Sequence, residues 1–268
     1  MNRIACASLL VVAAACGGSP PAPQVDEPPP AAVSRRSGGP VPQVSQELGS
    51  IDERAVQQTF ARLEGQLETC HASGRERLDL LAGDVKAFLR IDASGRVRYG
   101  YLEESTIGDR ETEKCILDTF GRASWPKPQG GEAEVRHAFG WGPGGERAPV
   151  SWGPEKVTST LDDAKDVKKD LARCKAGAKG DLSLTAYVVH DESAEEPAPK
   201  KAGAKQGKHD KKHGAQAAKP ERGGKFLAIG AAAPTKDVAE KIDCVIDALK
   251  ELPLPSPGSY PAKVTFLL

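Results

Sequence analysis

The sequence lacks an excess of charge of either sign. Its 268 residues include 37 Lys and Arg and 37 Asp and Glu, and only 5% are aromatic. Binding to nucleic acid normally needs a surplus of basic residues, so the composition gives no support for a nucleic-acid partner. Any function that depends on charge must therefore belong to a local segment of the chain.

The sequence also lacks the motifs of common catalytic sites. It has no nucleophile elbow, no phosphate-binding loop and no metalloprotease helix. His209 and His213, in the stretch HDKKH, have the spacing of two metal ligands on a helix, but lysines surround them in a segment that is not expected to be helical. We therefore expect a non-catalytic protein without a cofactor or a metal site.

A long apolar run occurs at the N terminus. Arg3 is followed by apolar residues from Ile4 to Ala15 and then by Cys16, which is the layout of a secretory signal peptide over residues 1–15. The end of this run, VAAAC, resembles the lipobox of bacterial lipoproteins. The resemblance implies lipidation of Cys16 and a lipid anchor in the cell envelope, on the periplasmic face of the outer membrane. The alternative is an ordinary secreted protein cut near Ala15.

Residues 16–48 are rich in Pro, Ala, Gln and Ser and have almost no large apolar side chains. A segment of this composition cannot bury a core, so we expect a stiff, extended tether.

The rest of the chain has the pattern of two tandem α-β-β-α-β units, over residues 49–142 and 157–268, joined by a linker at 143–156. Each unit has an amphipathic helix, two strands of a hairpin, a second helix, a proline-rich stretch and a final strand. Two sequence separations are the same in both units. Gly95 and Cys115 are as far apart as Gly224 and Cys244, and Cys115 and Pro126 are as far apart as Cys244 and Pro255. We interpret this agreement as a tandem duplication. The alternative is two unrelated α+β segments.

The helices of both units have predictable faces and starts. The first helix places Val56, Phe60, Leu63, Leu67 and Cys70 on one face, and the corresponding helix of the second unit, over 158–174, does the same with Leu161, Ala164, Val167, Leu171 and Cys174. Capping-box spacings are formed by Ser50 with Glu53 and by Thr160 with Asp163. The second helices are predicted over 109–122 and 235–252.

Four cysteines remain once Cys6 is removed with the signal and Cys16 is lipidated. In an oxidising compartment they predict two disulfides, for which three pairings exist and spacing alone does not choose. If the two units share one fold, the consistent pairing is Cys70–Cys115 and Cys174–Cys244, which ties together the two helices of each unit. Redox-active thiols are disfavoured because no Cys-x-x-Cys pair is present.

The segment CILDTFGRASWPKPQGG, residues 115–131, places an aromatic-Pro-x-Pro and Gly-Gly element after the second of two cysteines that bracket a hairpin. This arrangement resembles the AgmX/PglI C-terminal domain family of gliding bacteria, which is similar to the C-terminal domains of TonB and TolA. The resemblance covers about residues 49–141 and, with fewer matching residues, 157–268. It departs from the family at His71 and Lys175, where Tyr is common, and at Leu254, which replaces the aromatic residue found at Trp125.

The resemblance implies a fold and a style of binding. Each unit is expected to be a small antiparallel sheet covered by two helices. The protein is expected to act as an adaptor in an envelope assembly, such as those of gliding motility or of TonB and Tol systems. The cytoplasmic and transmembrane parts of such proteins have no counterpart in this sequence, so energy transduction is not implied.

The last strand of each unit is the candidate binding element. An edge strand has unpaired N–H and C=O groups that can template a strand of an envelope protein or peptide. The side chains assigned to this surface are Val135, His137, Phe139, Val264 and Phe266. In the alternative the two terminal strands pair with each other and the chain is a structural spacer.

Residues 191–223 replace the short hairpin turn of the first unit with a segment that is acidic at its start and then basic. Its lysines include Lys200, Lys201, Lys205, Lys208, Lys211 and Lys212. It has no aliphatic residue larger than Ala over most of its length, so we expect it to remain unfolded. It could contact anionic lipid or peptidoglycan; the alternative is a solvated loop.

Overall fold

A computed structural model describes residues 48–144, 148–192 and 222–268. The predicted signal peptide, Cys16, the tether and the basic insert with its lysines and with His209 and His213 lie outside these residues. The described part belongs to one compact unit, Gln46–Leu268, with a mixed α+β architecture of two sheets and several helices. Within it, no helix combines the length and the apolar character needed to cross a bilayer.

The first half has the element order predicted for it. The elements are α1 (Glu53–Arg77), β1 (Gly83–Ile91), β2 (Val97–Ser105), α2 (Arg110–Arg122) and β3 (Ala133–Trp141). The strands form an antiparallel sheet in the order β2-β1-β3, in which β1 is central. The predicted inward residues of β1, from Val85 to Ile91 at every second position, are all buried. Strand alternation was therefore a sufficient guide here.

The second half has more elements than the sequence predicted. They are β4 (Val150–Ser151), α3 (Glu155–Asp163), α4 (Lys165–Cys174), β5 (Ser183–His190), β6 (Arg222–Ala232), α5 (Lys236–Ala239), α6 (Ile242–Lys250), β7 (Leu254–Pro255) and β8 (Ala262–Leu267). The sheet order is β4-β8-β5-β6-β7, with β4 parallel to β8 and the other neighbours antiparallel. The helices predicted over 158–174 and 235–252 are thus each divided in two, which corrects the predicted count.

The helix starts also differ from the predicted capping boxes. Asp52 is the N-cap of α1, and its carboxylate accepts a hydrogen bond from the backbone N–H of Ala55 at 3.1 Å. Thr160 lies inside α3, where its hydroxyl donates to the carbonyl oxygen of Lys156 at 2.8 Å. Helix α3 ends because Ala164, with φ −91° and ψ 77°, leaves the helical conformation. Apolar residues that recur every three or four positions cannot reveal such a break, because the same spacing continues through it.

Both predicted disulfides are present. Cys70 in α1 is bonded to Cys115 in α2, and Cys174 in α4 is bonded to Cys244 in α6, with Cα–Cα distances of 5.7 and 5.6 Å. Each bond joins the helix before a hairpin to a helix after it, so the pairing inferred from the repeat is confirmed.

The two halves share a contact surface. The buried core of the first half includes Tyr187 from β5 and Ala232 from β6. The backbone N–H of Ala233 donates to the carbonyl oxygen of Leu102 in β2 at 2.9 Å. Residues of the second half therefore complete the core of the first.

Candidate functional site

Strand β3 has one free edge. It pairs with β1 along its whole length, from Ala133 opposite Ile91 to Trp141 opposite Gly83. No other strand of the described part pairs with it. Two isolated bridges, Leu48 with Glu132 and Ser50 with Gln129, involve residues that precede the strand. An edge strand of this kind has unpaired backbone donors and acceptors, which a further strand could use.

A groove lies between this strand and α1. Its volume is about 370 Å³, and it is bounded by Gln57, Phe60, Ala61, Glu64, Leu67, Glu68, His137, Phe139, Gly140 and Trp141. The side chains that β3 contributes occupy alternate positions, so they all lie on the face of the sheet that packs against the helices. His137, Phe139 and Trp141 are only partly buried, unlike Val135 earlier in the same row. An apolar side chain entering the groove would find aromatic surface that the fold leaves open.

The aromatic row is held in place by ring contacts. The ring of His137 stacks on that of Phe60 with centroids 3.8 Å apart and an interplanar angle of 17°. Phe139 meets the ring of Phe120 edge-on, with centroids 6.0 Å apart, and contacts Trp141 in the same manner at 5.3 Å. Edge-to-face and offset aromatic pairs of this kind fix ring orientation.

Trp141 closes the groove at the C-terminal end of β3. Its indole stacks on His71 with centroids 4.6 Å apart and an angle of 6°. Its Nε1–H donates to the carboxylate of Glu68 at 2.7 Å, and His71 is bonded in turn to the carbonyl oxygen of Leu81 through Nε2 at 3.0 Å. The partly buried Trp141 is thus fixed by a ring stack and by a hydrogen bond, so it is a preorganised contact surface.

The groove is acidic on its helical wall and neutral on its strand wall. Glu64 and Glu68 project from α1 on the groove side. Burial lowers the pKa of the His137 imidazole, because the charged form would lose its hydration against Phe60. At neutral pH the strand wall is therefore an uncharged aromatic surface.

The opposite face of β3 is charged. Arg136 donates to Glu103 at 2.9 Å and lies over the ring of Phe88 at 4.7 Å from its centroid. Arg90 of β1 is paired with Glu132 at 2.7 Å and with Glu134 at 2.8 Å. A strand added to β3 would therefore meet aromatic groups on one face and ion pairs on the other.

The five side chains assigned to a binding surface from the sequence divide into two groups. His137 and Phe139 line the groove. Val135, Val264 and Phe266 are buried in the cores, with 6%, 1% and 3% of their surface exposed, so their side chains cannot contact a partner. The assignment of these three is corrected. Alternation predicted which face of the strand they occupy but not how completely the helices cover it.

Strand β8 is a poorer template than β3. The short strand β4 already pairs with it at Ala262 and Lys263, and Trp152 donates its backbone N–H to the carbonyl oxygen of Lys263 at 3.0 Å. In the described part β3 and β8 belong to different sheets, so the terminal strands do not pair with each other. The geometry of a continuous sheet, on which the spacer alternative depended, is absent from these residues.

Sequence reasoning missed part of the site. Gln57, Glu64, Glu68 and Trp141 line the groove but were not selected as binding residues. Trp141 could have been found, because it continues the alternation of His137 and Phe139. The α1 residues carry no such signal, since their role depends on where the helix lies above the strand.

The described residues contain no group of three or more His, Cys, Asp and Glu side chains that could hold a metal ion. The site on β3 has a free strand edge and aromatic side chains. Comparisons with family models, with curated proteins and with solved structures found no match for this chain.

Proposed function

We propose that this chain is a non-catalytic adaptor that binds an extended segment of an envelope protein by strand addition to β3. The observation that carries this proposal is the free edge of β3 beside an open aromatic groove. The two features serve different purposes. Backbone pairing supplies affinity for any extended chain, and pockets for alternate side chains supply selectivity.

The partner strand has a defined pattern in this proposal. Its residues alternate between the groove and the opposite face of the sheet. Apolar side chains enter the groove beside Phe139 and Trp141, and polar or charged side chains lie beside Arg136 and Glu134. The groove is comparable in size with known small-ligand sites, which have volumes of roughly 300–1,000 Å³. It therefore accommodates one or two side chains of the partner.

The wider setting of the adaptor is also part of the proposal. The chain would be a lipoprotein anchored at Cys16 to the outer membrane, with two tandem units of the AgmX/PglI and TonB C-terminal type. The sheet orders β2-β1-β3 and β6-β5-β8 support the duplication, because each places the first strand of the hairpin between its partner and the terminal strand. The two disulfides, which join equivalent helices, support it independently.

Peptides chemically methylated on backbone nitrogens test the strand addition directly. Decapeptides are first selected from a random library on the purified protein, and each is then resynthesised with either the even or the odd backbone nitrogens methylated. Only alternate N–H groups of an added strand bond to its neighbour, so one methylated series should lose binding and the other should keep it. Hydrogen exchange should show new protection at residues 133–141.

A matched pair of protein variants locates the site. Gln57 and Gln58 are both exposed on α1, but only Gln57 lines the groove. Gln57→Trp should fill the groove and weaken peptide binding, whereas Gln58→Trp should leave it unchanged. Equal binding by both methylated series, or protection that appears away from β3, would overturn the proposal.

A further inference from the structure

A second cavity shares two lining residues with the groove. Its volume is about 740 Å³, and Gly140 and Trp141 line both spaces. The same cavity is lined by Ala82 and Asp84, which flank the start of β1, and by Tyr187 and Lys263 of the second half. The last two residues of β3 therefore border both the groove and this cavity.

Lys263 has no acidic partner within ion-pair distance among the described residues. Its Nζ donates to the carbonyl oxygen of Ala82 at 2.6 Å and lies 5.0 Å from the centre of the Tyr187 ring. In the described part of the chain it forms no ion pair, although Asp84 acts on it from a greater distance. Burial lowers its pKa to about 8, because the charged form has lost much of its hydration.

The surroundings of Lys263 favour an anion as the missing partner. A carbonyl oxygen and an aromatic ring are both neutral, so none of the three ammonium protons has an anionic acceptor among the described residues. A hydrogen bond between an ammonium and a carboxylate is stronger than one between neutral groups, and more so where water is excluded. The fully buried Tyr187 fixes one wall of this position, since its hydroxyl is bonded to Leu80 and Ala82.

We infer that the segment bound by β3 is the C-terminal end of a polypeptide, whose terminal carboxylate is bound by Lys263. This inference rests on the proposed strand addition and specifies its ligand. The geometry that carries it is that Gly140 and Trp141 line both cavities, and that Lys263, which forms no ion pair within the described part of the chain, lines the second of them. Capture of a terminal carboxylate beside a paired strand is an established mode of peptide recognition.

Among the described residues that line the cavity, Asp84 has the one carboxylate. It is exposed to solvent, so its repulsion of an incoming carboxylate is screened, whereas the attraction of the half-buried Lys263 is screened less. Asp84→Asn should therefore strengthen the binding of peptides with a free carboxylate and leave their amides unaffected. This variant keeps the hydrogen bond from Lys263 to Ala82, and it removes the attraction by which Asp84 raises the pKa of Lys263.

Two random libraries of N-acetylated octapeptides, one of free acids and one of C-terminal amides, test the inference on the full-length protein. Mass spectrometry counts the peptides retained from an equimolar mixture. The wild type should retain the acids over the amides by about tenfold or more. Lys263→Met should abolish this preference, and Lys263→Arg should keep most of it. Lys169→Met, at an exposed lysine of α4 outside the cavity, should not change it.

The outcomes separate the inference from the proposed function. If the protein retains acids and amides to the same extent, while one methylated series still fails to bind, carboxylate capture is overturned. The strand addition is then still supported. Failure to retain either library would overturn both. If Lys263→Met unfolds, the pKa of Lys263 is instead measured in the wild type from the NMR signal of its isotopically labelled Nζ. N-acetylglycine should raise this pKa, and N-acetylglycinamide should not. An equal response to both compounds would overturn the inference.

Discussion

The carboxylate of Glu113, in α2, accepts a hydrogen bond at 2.9 Å from the backbone N–H of Ala231, in β6. Its other oxygen accepts a hydrogen bond from the hydroxyl of Ser105 at 2.6 Å. Glu113 is completely buried, and Gly230 allows β6 to approach it because a side chain at that position would collide with the carboxylate. A buried acid of the first half is thus bonded to the backbone of the second.

The stability of the protein should depend on the ionisation of Glu113. Burial raises the pKa of its carboxyl from 4.5 to about 7, and the hydrogen bonds from Ser105 and Ala231 oppose the rise. A carboxyl that binds its proton more tightly in the folded state stabilises that state fully below the unfolded pKa. The stabilisation is lost as the pH rises through about 7. The loss is on the order of 3 kcal/mol in the free energy of unfolding.

Glu113→Gln isolates this contribution. The amide oxygen can accept from Ala231 and the amide nitrogen can donate to Ser105, so the bonds remain while the ionisation is removed. Urea unfolding at about pH 5 and about pH 8 should show that the wild type loses more stability than the variant over this interval. Parallel losses in the two proteins would show that Glu113 does not ionise in this range.

The hydroxyl of Tyr187 is a second link between the halves. It lies 3.2 Å from the carbonyl oxygen of Leu80 and 3.3 Å from that of Ala82, and it also accepts a hydrogen bond from the N–H of Ala82. Tyr187→Phe removes the hydroxyl from the partly buried Leu80 carbonyl and Ala82 N–H, while the Ala82 carbonyl keeps its bond from Lys263. The substitution should reduce the free energy of unfolding by about 1–3 kcal/mol. Tyr99→Phe is the matched control, since the described part contains no hydrogen-bond partner for the Tyr99 hydroxyl.

The same experiment examines cooperativity. Because Tyr187 belongs to the core of the first half, both halves should unfold in a single transition that moves as a whole in Tyr187→Phe. Two transitions, of which only one responds to the substitution, would show that the halves unfold separately.

Local patterns predicted the elements of the first half, whereas contacts between the halves had no signature in the sequence. The alternation from Val85 to Ile91 and the helical spacing from Val56 to Cys70 both corresponded to buried faces. Glu113, by contrast, is a charged residue on a helix whose neighbours are largely polar, and sequence reasoning assigns such residues to solvent. Its burial results from the packing of β6 on α2, which no periodicity encodes. For the same reason, His137 and Phe139 could be selected from β3, but Lys263 could not be connected with them.

The two disulfides should contribute equally to stability. Their sequence separations are 45 residues for Cys70–Cys115 and 70 for Cys174–Cys244. The entropy of the unfolded chain depends on the logarithm of loop length, so each bond is expected to stabilise by about 4 kcal/mol and the difference to be only about 0.4 kcal/mol. Urea unfolding of the two double Cys→Ala variants measures both values. A difference above about 2 kcal/mol would mean that native packing at one pair outweighs chain entropy.

His137 should make folding and peptide binding sensitive to acid. Burial against Phe60 lowers the pKa of His137, so as the pH falls below 6.5 the unfolded chain takes up a proton before the folded protein does, and the free energy of unfolding decreases. A peptide that covers the groove removes more water from His137 and should bind less tightly at about pH 5 than at about pH 7.5.

His137→Phe preserves the stack without a titrating group and should bind a selected peptide equally at both pH values. His190→Gln, at an exposed histidine away from the groove, should retain the acid sensitivity. If His137→Phe loses affinity in acid as the wild type does, another group controls the binding.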